Sequence, residues 1–244
     1  MEHWKRDLTV AEIREIVGTG ARPICFAESE DSYIWGFGSG FILNSKGNVY
    51  FITAKHVITN QKAKHQHARV IMPEAKIALP FTGAFTPQFP EHENRADVED
   101  FIIFSVNDQL YAAESGADLE SWNFDKWAWP TQKLEIGAQI LLAGFPFTEN
   151  RYDWDKNRIS ETLLISVGYL NHSELGNGIY KFEADPSELT FNGLSGAPVF
   201  CRREGYIFFT GLVIRGTSSS GLLHFIGAEF IRDALSFKEE GVYA

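Results

Sequence analysis

Cysteine is nearly absent from this chain, with only Cys25 and Cys201 among 244 residues. That excludes a disulfide framework. Both lie far apart between apolar neighbours, so they read as buried free thiols. Basic residues are also in short supply: 22 Lys and Arg stand against 32 Asp and Glu, a formal net charge of −10. A nucleic acid or an anionic membrane surface would be repelled at long range, so neither is expected as a partner. No run approaches the roughly 18 uninterrupted apolar residues that a spanning helix requires. The opening Met1-Glu2-His3-Trp4-Lys5-Arg6-Asp7 leads into no apolar stretch of the kind a secretory signal contains. A cytoplasmic protein is expected.

What is present is the material of a folded chain. Hydrophobic residues make up 44% and charged residues 22%, too apolar for disorder. Short apolar or β-branched runs recur at 33–43, 49–53, 68–72, 76–80 and 101–106, and again at 139–143, 162–167, 180–182, 197–200, 206–213 and 222–226. Turn residues such as Ser45-Lys46-Gly47-Asn48 separate them, which predicts an all-β, mostly antiparallel fold. Few intervening stretches are long enough for the helices of a parallel sheet. Helices are expected only at the ends. Thr9 and Glu12 form a capping-box pattern before Ile13, Ile16 and Val17, and 229–237 carries an apolar face ahead of Gly241. The connector 119–130, with Trp122, Phe124, Trp127 and Trp129, is expected to pack against the bodies it joins.

The segment Asn192-Gly193-Leu194-Ser195-Gly196-Ala197-Pro198-Val199-Phe200 carries the chemistry. A serine between glycines at the entry to an apolar strand suits an exposed nucleophile. Gly193 can take positive φ freely, which lets its N–H align with that of Ser195 as a pair of oxyanion donors. Alone, the segment is equally readable as a Gly-Ser turn. A serine nucleophile requires a base, and Tyr50-Phe51-Ile52-Thr53-Ala54-Lys55-His56 ends an apolar strand at His56. A lone histidine is as readily a satisfied core side chain. A third group must orient the imidazole. Asp100 opens the apolar run 101–106, while Asp97 and Glu99 compete for the role. His65, His67 and His92 lack the spacing of a metal site, and no cofactor is called for.

These three segments resemble the motifs of the chymotrypsin/trypsin-like serine peptidases (the PA clan), especially the bacterial intracellular type. Thr53-Ala54-Lys55-His56 resembles Thr-Ala-x-His, Asp100 with its apolar strand resembles the acid motif, and Gly193-Leu194-Ser195-Gly196-Ala197-Pro198 resembles Gly-x-Ser-Gly-(Ala/Gly)-Pro. The order His, Asp, Ser is also the family's. Gly38-Ser39-Gly40 resembles the small-residue strand before the histidine, and Gly144-Phe145-Pro146 a turn early in the second barrel. The resemblance implies two antiparallel six-stranded β-barrels with short terminal helices. Residues 1–20 form a helical segment, 21–118 the first barrel with His56 and Asp100, 119–134 the linker, 135–228 the second barrel with Ser195, and 229–244 the terminal helix. It implies a serine endopeptidase acting on protein or peptide substrates, with His56, Asp100 and Ser195 catalytic and the N–H groups of Gly193 and Ser195 as oxyanion hole.

For substrate binding the resemblance places Leu189, Thr190, Gly216 and His224 around the primary pocket. Leu189 at its base would leave a cationic side chain unpaired, so cleavage after apolar or small residues is expected. Val213 stands where glutamate- or glutamine-preferring relatives carry histidine, yet Arg215 leaves an acidic preference open. One departure stands out. Relatives activated by cleavage pair their new N-terminus with an aspartate before the serine, and here that residue is Leu194. Either other contacts order the active loop, or a partner protein does. In the latter case the chain is a regulatory or binding module, inactive alone. An esterase using the same residues is a further alternative.

Overall fold

The computed structural model describes residues 8–29, 33–70, 72, 77–147, 152–153, 158–159, 162–184, 192–217 and 222–239. The strands are β1 (Ala21–Phe26), β2 (Trp35–Ser45), β3 (Asn48–Ala54), β4 (Ala68–Arg69), β5 (Phe81–Phe85), β6 (Phe101–Val106) and β7 (Trp122–Asn123), then β8 (Gln139–Gly144), β9 (Tyr152–Asp153), β10 (Arg158–Ile159), β11 (Leu164–His172), β12 (Ile179–Glu183), β13 (Pro198–Arg203), β14 (Tyr206–Thr217) and β15 (Leu222–Gly227). Helices are α1 (Val10–Gly18), α2 (Lys55–Thr59), α3 (Arg95–Val98), α4 (Asp108–Ser115), α5 (Phe124–Trp127) and α6 (Ala228–Glu239). No helix among the described residues is long and apolar enough to cross a membrane.

Two antiparallel units result, as the resemblance implies. The second is a closed six-stranded barrel in the order β11-β12-β15-β14-β13-β8. The first follows the path β4-β1-β2-β3-β6-β5, a half-barrel with β7 added parallel to β2, and the Leu79 N–H donating to Val70 O at 2.9 Å links the segments beside its two end strands. Tight hairpins set the register. Lys46 and Gly47 both have positive φ between the paired residues Ser45 and Asn48, and Glu204 and Gly205 do the same between Arg203 and Tyr206. Such two-residue turns match the twist of the strands they join.

Apolar side chains form a core inside each unit and a third between them. At the junction, Phe41 of β2 stacks on Phe209 of β14 with centroids 5.0 Å apart and meets Phe200 of β13 edge-on at 5.6 Å. The connector supplies the rest. Trp122 packs on Phe41 and Phe200, Phe124 on Phe209, and Trp127 on Tyr206 and Phe208. Asp125 ties this connector to the first hairpin, accepting from the Ser45 hydroxyl at 2.7 Å and the Lys46 N–H at 2.7 Å. The capping box of α1 forms as expected, Thr9 Oγ1 accepting from the Glu12 N–H.

Several elements differ from the expectation. β1 was hidden by Pro23, which pairs with Ser39 on one side while β4 reaches only Cys25 and Phe26 on the other. Proline is tolerated where no second neighbour needs its N–H. Residues 77–80 form no strand, and Lys76 lies outside the described residues. The strand begins after Pro80, in the poorly β-forming Phe81-Thr82-Gly83-Ala84-Phe85. Helix α4 fits between Asn107, whose side chain accepts from the Leu110 N–H, and Gly116 in the left-handed region.

Phe41→Ala should lower the unfolding free energy by about 3–5 kcal/mol, the usual cost of emptying a buried phenyl site. Urea denaturation measures it, and a loss under about 1 kcal/mol would contradict a junction built on this ring. Cys25 and Cys201 are both buried free thiols, and burial pushes the Cys201 thiol up to about 11. A disulfide reagent should therefore titrate both thiols in denaturant and neither promptly in the native protein.

Candidate active site

Ser195 sits in the turn that leads into β13. Gly193 (φ +89°) and Gly196 (φ +84°) both occupy the left-handed region. A Cβ on Gly196 would lie 2.1 Å from the Ser39 carbonyl oxygen, and one on Gly193 2.7 Å from the Phe145 carbonyl and the Phe147 nitrogen. Glycine is required at both by conformation and by space. The loop is pinned to β14, with the Gly196 N–H donating to Val213 O (2.7 Å) and the Val213 N–H donating to Ala197 O (2.9 Å).

The loop's carbonyls face inward. Asn192 O accepts from the Phe147 N–H at 2.6 Å, and Leu194 O from the Ala197 N–H at 2.9 Å. In a trans peptide the N–H points opposite to the C=O. The N–H groups of Gly193 and Ser195 are therefore turned away from those contacts. Among the described residues neither finds an acceptor, which leaves both free for an incoming oxyanion.

The histidine strand stops at Ala54, two residues earlier than expected, and His56 lies in the first turn of α2. The cause is Asp100, which takes over the donors that a helix start leaves unpaired. Its backbone carbonyl accepts from the Lys55 N–H at 3.1 Å, and its Oδ1 accepts from the His56 N–H at 3.0 Å. Its Oδ2 lies 2.8 Å from His56 Nδ1. On the opposite side of the ring, Nε2 lies 2.8 Å from Ser195 Oγ. With Asp100 accepting at Nδ1, the neutral ring holds its proton there and presents a lone pair at Nε2. The site is partly sheltered, His56 being 26% and Asp100 16% exposed by side chain. Such a chain can draw the proton from a hydroxyl and stabilise the resulting imidazolium.

The competing acids are engaged elsewhere. Asp97 pairs with Arg215 of β14 across the two units. Glu99 accepts from the Phe89 N–H at 2.6 Å and from Arg95 Nε at 2.7 Å. Of the expected substrate-binding residues, Leu189 and Thr190 lie outside the described residues. Arg215 and Gly216 are exposed on β14, and Val213 is buried in the second barrel's core. His224 pairs with Arg215 on β15, its Nδ1 lies 3.0 Å from the Ser173 hydroxyl, and burial holds its pKa below the usual imidazole value.

One residue had been read only as part of a small-residue strand. Ser39, fully buried on β2, donates its hydroxyl to Gly193 O at 2.7 Å, and its backbone N–H to Ser195 O at 2.9 Å. The visible signal was a hydroxyl between two glycines, Gly38 and Gly40, ahead of the apolar run Phe41-Ile42-Leu43.

Comparisons with known proteins agree with this geometry. A family model described as a trypsin-like peptidase domain matches residues 38–208, a span that contains His56, Asp100 and Ser195. Among solved structures, a thermostable serine protease, AL20, from an extremophilic microorganism is similar, with a TM-score of 0.55 and 12% sequence identity. The aligned part covers 88% of this chain and 94% of that one, and at such identity the likeness speaks for the fold. No curated protein matches the chain. The family match spans well over half of the sequence, and on that ground this chain belongs to the trypsin-like peptidase domain family.

Proposed function

We propose that this peptidase is a serine endopeptidase in which Ser195 is the nucleophile, His56 the general base and acid, and Asp100 the orienting carboxylate. The observation that carries the reading is the unbroken hydrogen-bonded chain from Asp100 through His56 to Ser195, 2.8 Å at each step. Ser195 Oγ attacks the scissile carbonyl while Nε2 of His56 takes its proton. The tetrahedral oxyanion is held by the N–H groups of Gly193 and Ser195, each worth about 10²–10³ in rate. The imidazolium then protonates the leaving amine. A water, deprotonated by the same ring, hydrolyses the acyl-enzyme. Asp100 fixes the ring's orientation and balances the charge of the imidazolium.

Support for activity without a partner comes from the loop itself. Its inward carbonyls are all bonded within the chain, and Leu194 is buried in the second barrel's core where an activating ion pair would otherwise sit. A regulatory module would instead leave the purified chain inert. For specificity, the preference proposed is for apolar or small residues before the cut bond. It rests on Leu189 as read from the sequence and on the apolar Val213.

Ser195→Ala and His56→Ala should each lower kcat by about 10⁵–10⁶-fold with folding intact, and Asp100→Asn by about 10⁴-fold. Asp97→Asn should cost far less. Steady-state kinetics on a peptide substrate measure all four, and an Asp97→Asn loss equal to that of Asp100→Asn would overturn the choice of acid. A peptide library should be cut chiefly after apolar or small residues. Dominant cleavage after Lys or Arg would contradict the pocket assignment.

A further inference from the structure

We propose that Ser39 is the positioning residue of the oxyanion loop, a buried hydroxyl of the first unit that holds the Gly193 peptide of the second in its working direction. The inference rests on the peptidase reading above and adds to it a residue that acts only through another. Ser39 makes four hydrogen bonds. Its oxygen accepts from the Phe145 N–H at 2.9 Å and its hydroxyl donates to Gly193 O at 2.7 Å. Its backbone N–H donates to Ser195 O at 2.9 Å, and its carbonyl accepts the Thr53 hydroxyl at 2.7 Å.

The donor directions are unambiguous. A backbone N–H only donates and a carbonyl only accepts, so the single hydroxyl proton of Ser39 must point at Gly193. The relay runs from Phe145 N–H through Ser39 O–H to Gly193 C=O, each bond polarising the next. It matters because of what Gly193 is. Glycine crosses readily between backbone regions, so the conformation at φ +89° does not hold itself. The 192–193 peptide, which carries the Gly193 N–H, is gripped on one side by Phe147, and the next peptide is gripped by Ser39. Losing the second grip frees the glycine to rotate and to turn its N–H away from the substrate.

Ser39 is suited to the task. It sits within β2, between β1 and β3, with no exposed surface. A site is held most firmly by groups on regular elements. The arrangement also joins the oxyanion loop of one unit to a strand of the other. The loop is in register only when the two units are docked.

The test compares wild type, Ser39→Ala and the near-isosteric Ser39→Cys, whose thiol is a weak donor. Thr131→Val removes a comparably buried hydroxyl that bonds to Thr210 rather than to the loop and controls for lost stability. Four readouts are taken: kcat, KM, affinity for a peptide aldehyde that forms a tetrahedral adduct on Ser195, and affinity for the cleaved product peptide. Rates are normalised to folded protein by near-ultraviolet circular dichroism. Ser39→Ala should lower kcat by about 10–10²-fold, less than the loss of an oxyanion donor itself, with KM within about threefold. Aldehyde affinity should fall by a similar factor while product affinity holds. Ser39→Cys should show the same pattern even if the alanine variant fails to fold, and Thr131→Val should retain kcat. The shape of the pH profile of kcat should not change. Folded Ser39 variants with wild-type kcat, or with aldehyde and product affinity weakened equally, would overturn the assignment. A wild type inert toward substrate and aldehyde alike would instead sink the peptidase reading on which it rests.

Discussion

The hydrogen bond between His56 and Ser195 joins two separately built units, and the rest of the molecule serves to make it possible. His56 stands in the first turn of α2, just past β3 of the half-barrel, and Ser195 in a loop of the closed barrel. Neither unit can hold both. Their approach is set by the aromatic junction of Phe41, Phe200 and Phe209, covered by Trp122 and Phe124 of the connector. Apolar burial supplies the drive for docking but has little directional preference. The directional part is polar: Asp97 with Arg215 and Ser39 with the Ser195 loop both cross the junction. A non-specific force brings the units together and a few oriented bonds fix the register.

Asp100 shows how one residue can serve fold and chemistry together. By accepting from Lys55 and His56 it starts helix α2, and that start is what swings the imidazole toward the second unit. The same carboxylate then accepts at Nδ1. Removing it would disturb ring placement as well as charge, so its substitutions must be read with a check on structure. On the reading proposed above, the oxyanion loop relies on neutral hydrogen bonds, each contributing about 1 kcal/mol net. Several such bonds, closely spaced and buried, take the place of a buried ion pair, whose desolvation is costly.

Much of this was legible in the sequence because the informative residues are short, rigid and separated by characteristic distances. Small residues around Ser195, the strand before His56 and the acid before an apolar run are local patterns, and local patterns survive in one dimension. The choice among Asp97, Glu99 and Asp100 was not legible, since three acids within four positions differ only in where each points. Helix α2 was missed because its first donors are capped by Asp100, 44 positions away. Ser39 was legible as a place in the small-residue strand before the histidine, but not as a hydrogen-bonding group. A serine among glycines suggests lack of bulk, and only its contacts with Gly193 and Phe145 give the hydroxyl a purpose.

The central claim is that a base across the junction activates Ser195. Treating the purified chain with a fluorophosphonate and mapping the adduct by mass spectrometry tests it most directly. The account predicts stoichiometric modification at Ser195, abolished by His56→Ala in a folded protein. No modification without an added partner, modification at another serine, or labelling that persists when His56 is removed would contradict it.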